Sequence, residues 1–358
     1  MARLAPSYDH GILTNGPLVR RLEEESAARL GTRHAVAVSS CTAGLMLVLR
    51  ALVPNGRVVM PSFTFSASAH AVAWNGLAPV FAECDPFSFQ LDVEDAAARL
   101  EGAAAILATH VFGAPCAPVR LERLAAGAGV PVVFDAAHGF GATSGGRPVG
   151  SFGAAEVFSL SPTKVVVGGE GGIVTTDDSE LAHDVRIGRD YGNPGDYDTR
   201  FVGLSARLSE LHAAMALESL AGLDDHLRHR HRLARRYRTG LVGIPGLTPQ
   251  VVTEGDKSTY KDFTICVDPD TYGLARDQLV VALRAEGIDV RCYFSPPVHR
   301  QRAYAVQGDD LPITSATADR VLSLPIYAGL ADDSLDRVVE VLAGLQSHAG
   351  EVQESATG

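Results

Sequence analysis

SLSPTKVVVGGEGG, residues 159–172, joins two short apolar runs and sets one lysine, Lys164, between hydroxyl side chains and four glycines in five positions. A lysine flanked by apolar residues is ordinarily a surface residue whose stem lies along the protein while its ammonium reaches water. Here Ser159, Ser161 and Thr163 supply hydroxyls, and the glycines let backbone approach a ligand closely. Lysine is also scarce. Of 31 lysines and arginines only Lys164, Lys257 and Lys261 are lysines, so chemistry that needs an amine nucleophile has three candidates. Lys257 and Lys261 stand far downstream, in what reads as a different domain and outside any such setting.

HAVAV (34–38), RVVM (57–60), APVFAE (78–83), AAILAT (104–109), VPVVFD (130–135), AEVFSL (155–160) and GGIVTT (171–176) have the length and apolarity of buried strands. Helical patterns at 41–52, 64–74, 92–99 and 118–128 separate the first five. This predicts βα units and an α/β fold with a mainly parallel seven-stranded sheet flanked by helices. Ahead of them, Pro17 suits the first turn of a helix carrying Leu18, Leu22 and Leu30, and Gly31 is placed to end it. From Leu181 the pattern turns helical and, after the polar loop RDYGNPGDYD (189–198), predicts one long connecting helix over 205–241. Beyond Pro245, KDFTICV (261–267) and IDVRCYF (288–294) read as short strands alternating with helices near 276–286 and 332–345. The expected division is a large domain over 1–240, a small C-terminal α+β domain over 241–350 and a flexible tail over 351–358, whose residues are small and polar.

The chain has 358 residues, 46% hydrophobic and 20% charged, enough for two domains at roughly 150 residues each and too apolar for a disordered or collagen-like chain. Its net charge of −11 argues against a nucleic-acid duplex binder that neutralises many phosphates with a basic face. The five cysteines, Cys41, Cys84, Cys116, Cys266 and Cys292, are scattered, odd in number and without a CxxC pair. They read as free thiols of a reducing compartment. MARLAPSYDHG at the N-terminus has no apolar signal core, and no stretch reaches the roughly 18 apolar residues of a membrane span, so a soluble, cytoplasmic protein is expected. HLRHRHRLARR (226–236) carries histidines at 226, 229 and 231 without a carboxylate set at metal-ligand spacing. It reads as a solvated or intersubunit helix face, and no metal is assigned.

Four features fall at the carboxyl ends of expected strands, where open α/β sheets bind ligands. SSCTAGL (39–45) brings small residues and free N–H groups to a helix N-terminus, a setting for a phosphate; an ordinary N-cap by Ser39, Ser40 or Thr42 is the competing reading. PSFTFSAS (61–68) places Phe63 and Phe65 past a strand, as core aromatics or as a surface for a planar ring. FDAAHGFGA (134–142) ends a strand on Asp135, three residues before His138. A carboxylate buried there needs a cation or a protonated nitrogen, unless it caps a helix or closes a structural ion pair. Lys164 is the fourth feature. Pyridoxal 5′-phosphate accounts for all four together, because it needs a lysine amine, a carboxylate on its pyridine nitrogen, a stacking side chain and a helix-terminal phosphate cup.

At these residues the chain resembles the DegT/StrS-type sugar aminotransferases, a branch of the fold-type I pyridoxal phosphate enzymes, from about Asn15 to Leu345. The likeness is carried by GPLVRRLEEESAARLG, SSCTAGL, PSFTFSASAHAVAWNGLAPVFAECD, FDAAHGFGA, FSLSPTKVVVGGEGGIVTT and SARLSELHAAMALESL, whose order and spacing make it specific. The resemblance implies that Lys164 is the Schiff-base lysine and catalytic proton carrier, that Asp135 partners the pyridine nitrogen, that Phe65 stacks on the ring and that His138 approaches the phenolic oxygen. It also implies that Cys41 and Thr42, with Ser159, hold the phosphate, the Cys41 side chain being incidental. Ser205, in VGLSAR, stands where the family's G-x-N-x-R segment has an Asn that reaches the phosphate from a second subunit, and Arg207 keeps the basic position. A homodimer with composite active sites follows from the likeness. So do an amino donor, L-glutamate, and a nucleotide-linked keto sugar as acceptor, foremost a dTDP-linked 4-keto- or 3-keto-6-deoxyhexose. Tyr191 and Arg207, with Tyr293 and His299 in CYFSPPVHRQRAY (292–304), stand where the family places substrate contacts, although proline-rich aromatic segments also serve packing.

Related sugar dehydratases carry histidine in place of the lysine, so Lys164 favours transamination. Aminocyclitol (keto-inositol) and aminobenzoate-forming relatives retain the lysine and stay open as alternatives. A non-catalytic, cofactor- or sugar-sensing regulator of the same fold is the rival from another class; it usually adds a DNA-binding domain, and no helix-turn-helix or basic patch precedes Gly16. Lys257 and Lys261, in DKSTYKDF (256–263), flank an expected strand. A solvated turn is the preferred reading for Lys257, and a contact to the donor or to a diphosphate is the alternative. Abundant Arg, Ala and Gly fit a GC-rich genome and amino-sugar biosynthesis in secondary metabolism.

Overall fold

In the computed structural model, which describes residues 4–305 and 310–356, the seven apolar runs pair into one sheet. In chain order the strands are β1 (His34–Val38), β2 (Arg57–Pro61), β3 (Ala78–Ala82), β4 (Ala103–Thr109), β5 (Val132–Asp135), the short hairpin β6 (Thr143–Ser144) and β7 (Arg147–Pro148), then β8 (Ala155–Ser159) and β9 (Gly172–Thr176). The main sheet has the order β1-β9-β8-β5-β4-β2-β3. Strand β9 pairs antiparallel with both β1 and β8 while every other pairing is parallel, so six strands share one direction and the expected α/β class holds.

Alternation along the strands divides the core. On β1, Ala35 and Ala37 face a layer with Val19, Leu22 and Leu30 of the helix Pro17–Leu30. Val36 and Val38 face the opposite layer, with Leu45, Val48 and Leu49 of the helix Cys41–Leu52. Helices cover both faces, as a parallel sheet requires, because its strands are apolar on both sides. The co-directional strands therefore deliver Ser39, Ser62, Thr109, Asp135 and Ser159 to a common edge.

Several expectations are corrected. The stretch 205–241 is two helices, Glu210–Ala221 and Leu223–Leu241, broken at Gly222. Glycine lowers helix stability by about 1 kcal/mol relative to alanine, and Ser209 starts the first helix late by accepting from the His212 N–H. IDVRCYF forms no strand: Arg291 alone pairs, with Ser323, and the chain turns where the Ser295 N–H donates to the Cys292 carbonyl. The second sheet is instead β10 (Leu247–Pro249), β11 (Phe263–Val267) and β12 (Val321–Leu324), all antiparallel. It packs with the helices Arg276–Ala285 and Asp332–Ser347 and with Leu233, Tyr237 and Leu241.

HLRHRHRLARR keeps a solvated face, with Arg228, Arg232, Arg235 and Arg236 exposed, and its opposite side is tied to the rest of the chain. Buried Arg230 donates through Nη1 to the carbonyls of Tyr260, Lys261 and Ile326, and Arg232 and Arg236 pair with Asp332 and Asp336. Residues 351–356, read as part of a flexible tail, continue the helix Ala349–Ala356; Val352 packs on the second sheet's core and Gln353 Nε2 donates to the Gly273 carbonyl. The rest of that tail, 357–358, and residues 1–3 of MARLAPSYDHG lie outside the described residues. Among the described residues no helix is long and apolar enough to cross a membrane.

One buried carboxylate fixes the N-terminal helix to the sheet layer. Glu210 accepts from the N–H groups of Leu18 and Val19, both at 2.9 Å, and from Ser7 Oγ at 2.7 Å. It thereby caps Pro17–Leu30, whose N-cap, Gly16, has no side chain to do so. A Cβ at Gly16 would lie 2.8 Å from the Glu210 carboxyl carbon, which explains the glycine. Glu210→Ala leaves three donors without an acceptor and is expected to lower the unfolding free energy by about 3 kcal/mol, with Glu210→Gln losing less; chemical denaturation of the two variants checks this.

Candidate active site

The strand-end residues enclose a cavity of about 220 Å³ whose wall includes Cys41, Thr42, Phe65, Asp135, His138, Ser159 and Lys164. Each arrives there for a local reason. Ser40 is the N-cap of Cys41–Leu52 and accepts from the Ala43 N–H at 3.1 Å, so the ordinary cap reading holds for Ser40 and leaves Thr42 to the cavity. The glycine run begins β9 against this turn. A Cβ at Gly172 would stand 2.7 Å from the Cys41 nitrogen, so only glycine allows the approach. Phe63 is core, packed among Phe89, Phe112 and Phe294, whereas Phe65 is 60% exposed and lines the cavity at the start of the helix Ser66–Trp74.

Asp135 is 4% exposed. Its Oδ1 accepts from the Ala137 N–H at 3.0 Å and its Oδ2 from Ser68 Oγ at 2.6 Å. Cys41 Sγ stands 3.8 Å from Oδ1 and 3.4 Å from the Val157 carbonyl, so its side chain belongs to the carboxylate's surroundings and is not incidental. Burial, reinforced by the Asp135 charge, pushes the Cys41 pKa up and keeps it a thiol. The Phe112 N–H donates to His138 Nδ1 at 3.2 Å, which places the proton of the neutral ring on Nε2. Burial and the charges of Lys164 and Lys261 hold His138 well below the usual histidine range.

Lys164 lines this cavity and also a larger groove of about 770 Å³ that includes Thr163, Lys261, Tyr293 and Tyr327. Its pKa is depressed, first by burial and then by the charge of Lys261, against the opposing pull of Asp135 and Asp262. The reading of Lys261 as remote from the site is therefore corrected. Lys261 is 7% exposed, pairs with both oxygens of Asp262 at 2.9 and 3.0 Å, and lies 5.3 Å from the Tyr293 ring centroid. Its segment is docked by backbone: the Lys261 N–H donates to Phe112 and the Thr259 N–H to Gly113. Lys257 is exposed, in a backbone bridge with Thr143, as a turn residue would be.

Ser205, Tyr191 and Arg207 do not line either space. Ser205 bridges Asp190 through backbone, Arg207 Nη1 pairs with Asp190 Oδ1 at 2.7 Å, and the Arg207 guanidinium lies 5.4 Å from the centre of the half-exposed Tyr191 ring. His299 is buried as a support: its Nδ1 is hydrogen-bonded with Ser62 Oγ at 2.6 Å and its Nε2 with Ser315 Oγ at 3.1 Å. Thr64, Thr109, Glu170 and Phe294 line the cavity without having been singled out in the sequence. Thr109 carried the same signal as Asp135, a polar residue ending an apolar strand.

Amine, buried carboxylate, exposed aromatic, and helix N-terminus with adjacent Ser159 and Ser161 hydroxyls fit pyridoxal 5′-phosphate, each group matching a different part of it. Fold and site thus define a pyridoxal phosphate-dependent aminotransferase. A family model for the DegT/DnrJ/EryC1/StrS aminotransferases matches residues 1–343. The dTDP-3-amino-3,4,6-trideoxy-alpha-D-glucose transaminase of Streptomyces venezuelae is 35% identical over 350 residues, covering 95% of this chain and 90% of that protein. The spore coat polysaccharide biosynthesis protein SpsC of Bacillus subtilis (strain 168) is 34% identical over 356 residues, covering 94% and 91%. Among solved structures, DesI, determined in the presence of its TDP-sugar product, has a TM-score of 0.95 at 38% identity, covering 100% of this chain and 92% of that one. The chain belongs to the DegT/DnrJ/EryC1/StrS aminotransferase family.

The charge arrangement makes a pH prediction. Lys261⁺ disfavours a second cation, so Lys164 sheds its proton at lower pH than an ordinary lysine. Lys261→Met removes that repulsion and leaves the Asp262 charge unpaired; both changes raise the Lys164 pKa. In cofactor-free protein, the pH at which Lys164 becomes reactive to an acylating reagent, followed by peptide mass spectrometry, is expected to move upward in Lys261→Met.

Proposed function

We propose that this aminotransferase moves an amino group from L-glutamate to a nucleotide-linked keto sugar in amino-sugar biosynthesis, a dTDP-linked 4-keto- or 3-keto-6-deoxyhexose being the leading acceptor. The observation that carries the reading is the position of Lys164 at the junction of two spaces: the small polar cavity that fits the cofactor, and a groove of about 770 Å³, within the size range of sites for large ligands. The relatives that act on nucleotide-linked amino sugars support the same substrate class.

Pyridoxal phosphate, when bound, supplies a carbonyl carbon that carries the amino group and a ring that takes up electrons. The chain's own residues do the rest. Lys164 would hold the cofactor through Nζ, and the same atom would move the proton at the reacting carbon. Its depressed pKa favours the neutral amine that can accept a proton. Asp135 holds the ring nitrogen, and Phe65 provides the stacking face. His138, neutral and carrying its proton on Nε2, is a donor for the phenolic oxygen. The N–H groups of Cys41 and Thr42, with the Ser159 hydroxyl, hold the phosphate.

In this reading the enzyme is a cytoplasmic homodimer, and Ser205, Tyr191 and Arg207 face the active site of the partner subunit, which accounts for their distance from the cavity of their own chain. Residues 1–240 form the cofactor-binding domain and 241–350 the smaller one. Purified protein with pyridoxal phosphate and glutamate is offered a panel of nucleotide-linked 3-keto and 4-keto sugars, and products are determined by mass spectrometry and NMR. An amino sugar is expected from at least one, with Lys164→Ala slower by about 10²–10⁴-fold or more. Turnover of a keto-inositol with none of the sugars overturns the acceptor; full transamination by Lys164→Ala overturns the site.

A further inference from the structure

A line of hydroxyls leads to the Asp135 carboxylate. Ser68 Oγ donates to Asp135 Oδ2 at 2.6 Å. Ser68 Oγ is 3.1 Å from Thr64 Oγ1, which is 3.1 Å from Thr109 Oγ1. Three of the four side chains belong to different secondary-structure elements and the fourth to a connection: Thr109 ends β4, Thr64 lies between β2 and the helix Ser66–Trp74, Ser68 lies on that helix, and Asp135 ends β5. Thr64 and Ser68 are fully buried and Thr109 nearly so.

The direction of the chain is forced. An ionised carboxylate has no proton to offer, so Ser68 must donate its only one to Asp135. Ser68 is then an acceptor for Thr64, and Thr64 an acceptor for Thr109. Every O–H dipole points its positive end toward Oδ2, and such hydrogen bonds strengthen one another in a buried site. Ser68 does not line the cavity, whereas Thr64, Thr109 and Asp135 do. It reaches the cavity indirectly, through Asp135 to which it donates and through Thr64 from which it accepts.

We infer that Ser68, backed by Thr64 and Thr109, is a positioning residue that orients the Asp135 carboxylate and holds it ionised against the cofactor's ring nitrogen, so that this nitrogen keeps its proton. The inference rests on the assignment of Asp135 to that nitrogen. Without the Ser68 proton one carboxylate oxygen loses its donor. The ion pair between carboxylate and protonated nitrogen then weakens relative to the neutral pair, and the ring withdraws electrons less well.

The test uses holoenzyme loaded with pyridoxal phosphate labelled with ¹⁵N in the ring, in wild type, Ser68→Ala, Ser68→Thr and Thr64→Val. The nitrogen chemical shift reads protonation directly and needs no sugar acceptor, so it is independent of the substrate assignment. Ser68→Ala is expected to move the signal toward the unprotonated position and to lower kcat for the glutamate half-reaction by about tenfold with KM little changed. Ser68→Thr, which keeps the hydroxyl, restores both, and Thr64→Val gives a smaller change in the same direction. An unshifted nitrogen signal in Ser68→Ala overturns the inference, including when activity falls, since that combination marks a merely structural role. Should Ser68→Ala fail to fold, Thr64→Val decides by the same readout. A wild-type nitrogen that is itself unprotonated overturns the Asp135 assignment instead.

Discussion

A carboxylate placed in the interior, where it needs hydrogen-bond donors in place of water, is the constraint on which this site depends. Asp135 ends β5 almost entirely removed from water, where an unpaired charge is costly by several kcal/mol. The fold meets that cost with donors drawn from separate elements: the Ala137 N–H just after the strand and Ser68 from a helix on one face of the sheet, with the Cys41 thiol beside Oδ1. Such convergence is available only at the edge where parallel strands end together. The sheet topology and the chemistry of Asp135 are thus one requirement seen at two scales.

The cations are placed by the opposite logic. Burial, and then the charge of Lys261, push the Lys164 amine toward its neutral form. Lys261 is paired with Asp262 at the same groove. A surface rich in arginine does not interfere, because those side chains pair across the molecule, as Arg232 and Arg236 do with the helix Asp332–Ser347.

The strand-end rule made much of this readable from the sequence. Apolar runs of four to six residues located all seven strands of the main sheet, and polar residues at or after their ends located Thr42, Asp135, Ser159 and Lys164 without knowledge of distance. What stayed hidden depends on contacts between segments remote in sequence. Lys261 read as belonging to a different domain because its segment's docking partners, Phe112 and Gly113, lie nearly 150 positions upstream and bind through backbone, which leaves no side-chain signature. His299 looked like a ligand contact because a histidine among prolines and aromatics has the same composition whether it faces a substrate or holds two serines. IDVRCYF had strand composition, but the turn in which the Ser295 N–H donates to the Cys292 carbonyl follows directly on its single bridge, and VLSL became the third strand instead.

The basic run 226–236 joins these observations. Periodicity places it on a helix, and its charge invites a surface role. Arg230 is nevertheless buried, and its guanidinium donates to the carbonyls of Tyr260 and Lys261, the backbone that carries the second lysine to the groove. A guanidinium suits that task better than an ammonium: it stays charged when desolvated and presents several donors in one plane to carbonyls fixed in different directions. Arg230 holds backbone with its guanidinium, and two of the chain's three lysines, Lys164 and Lys261, line the groove beside it.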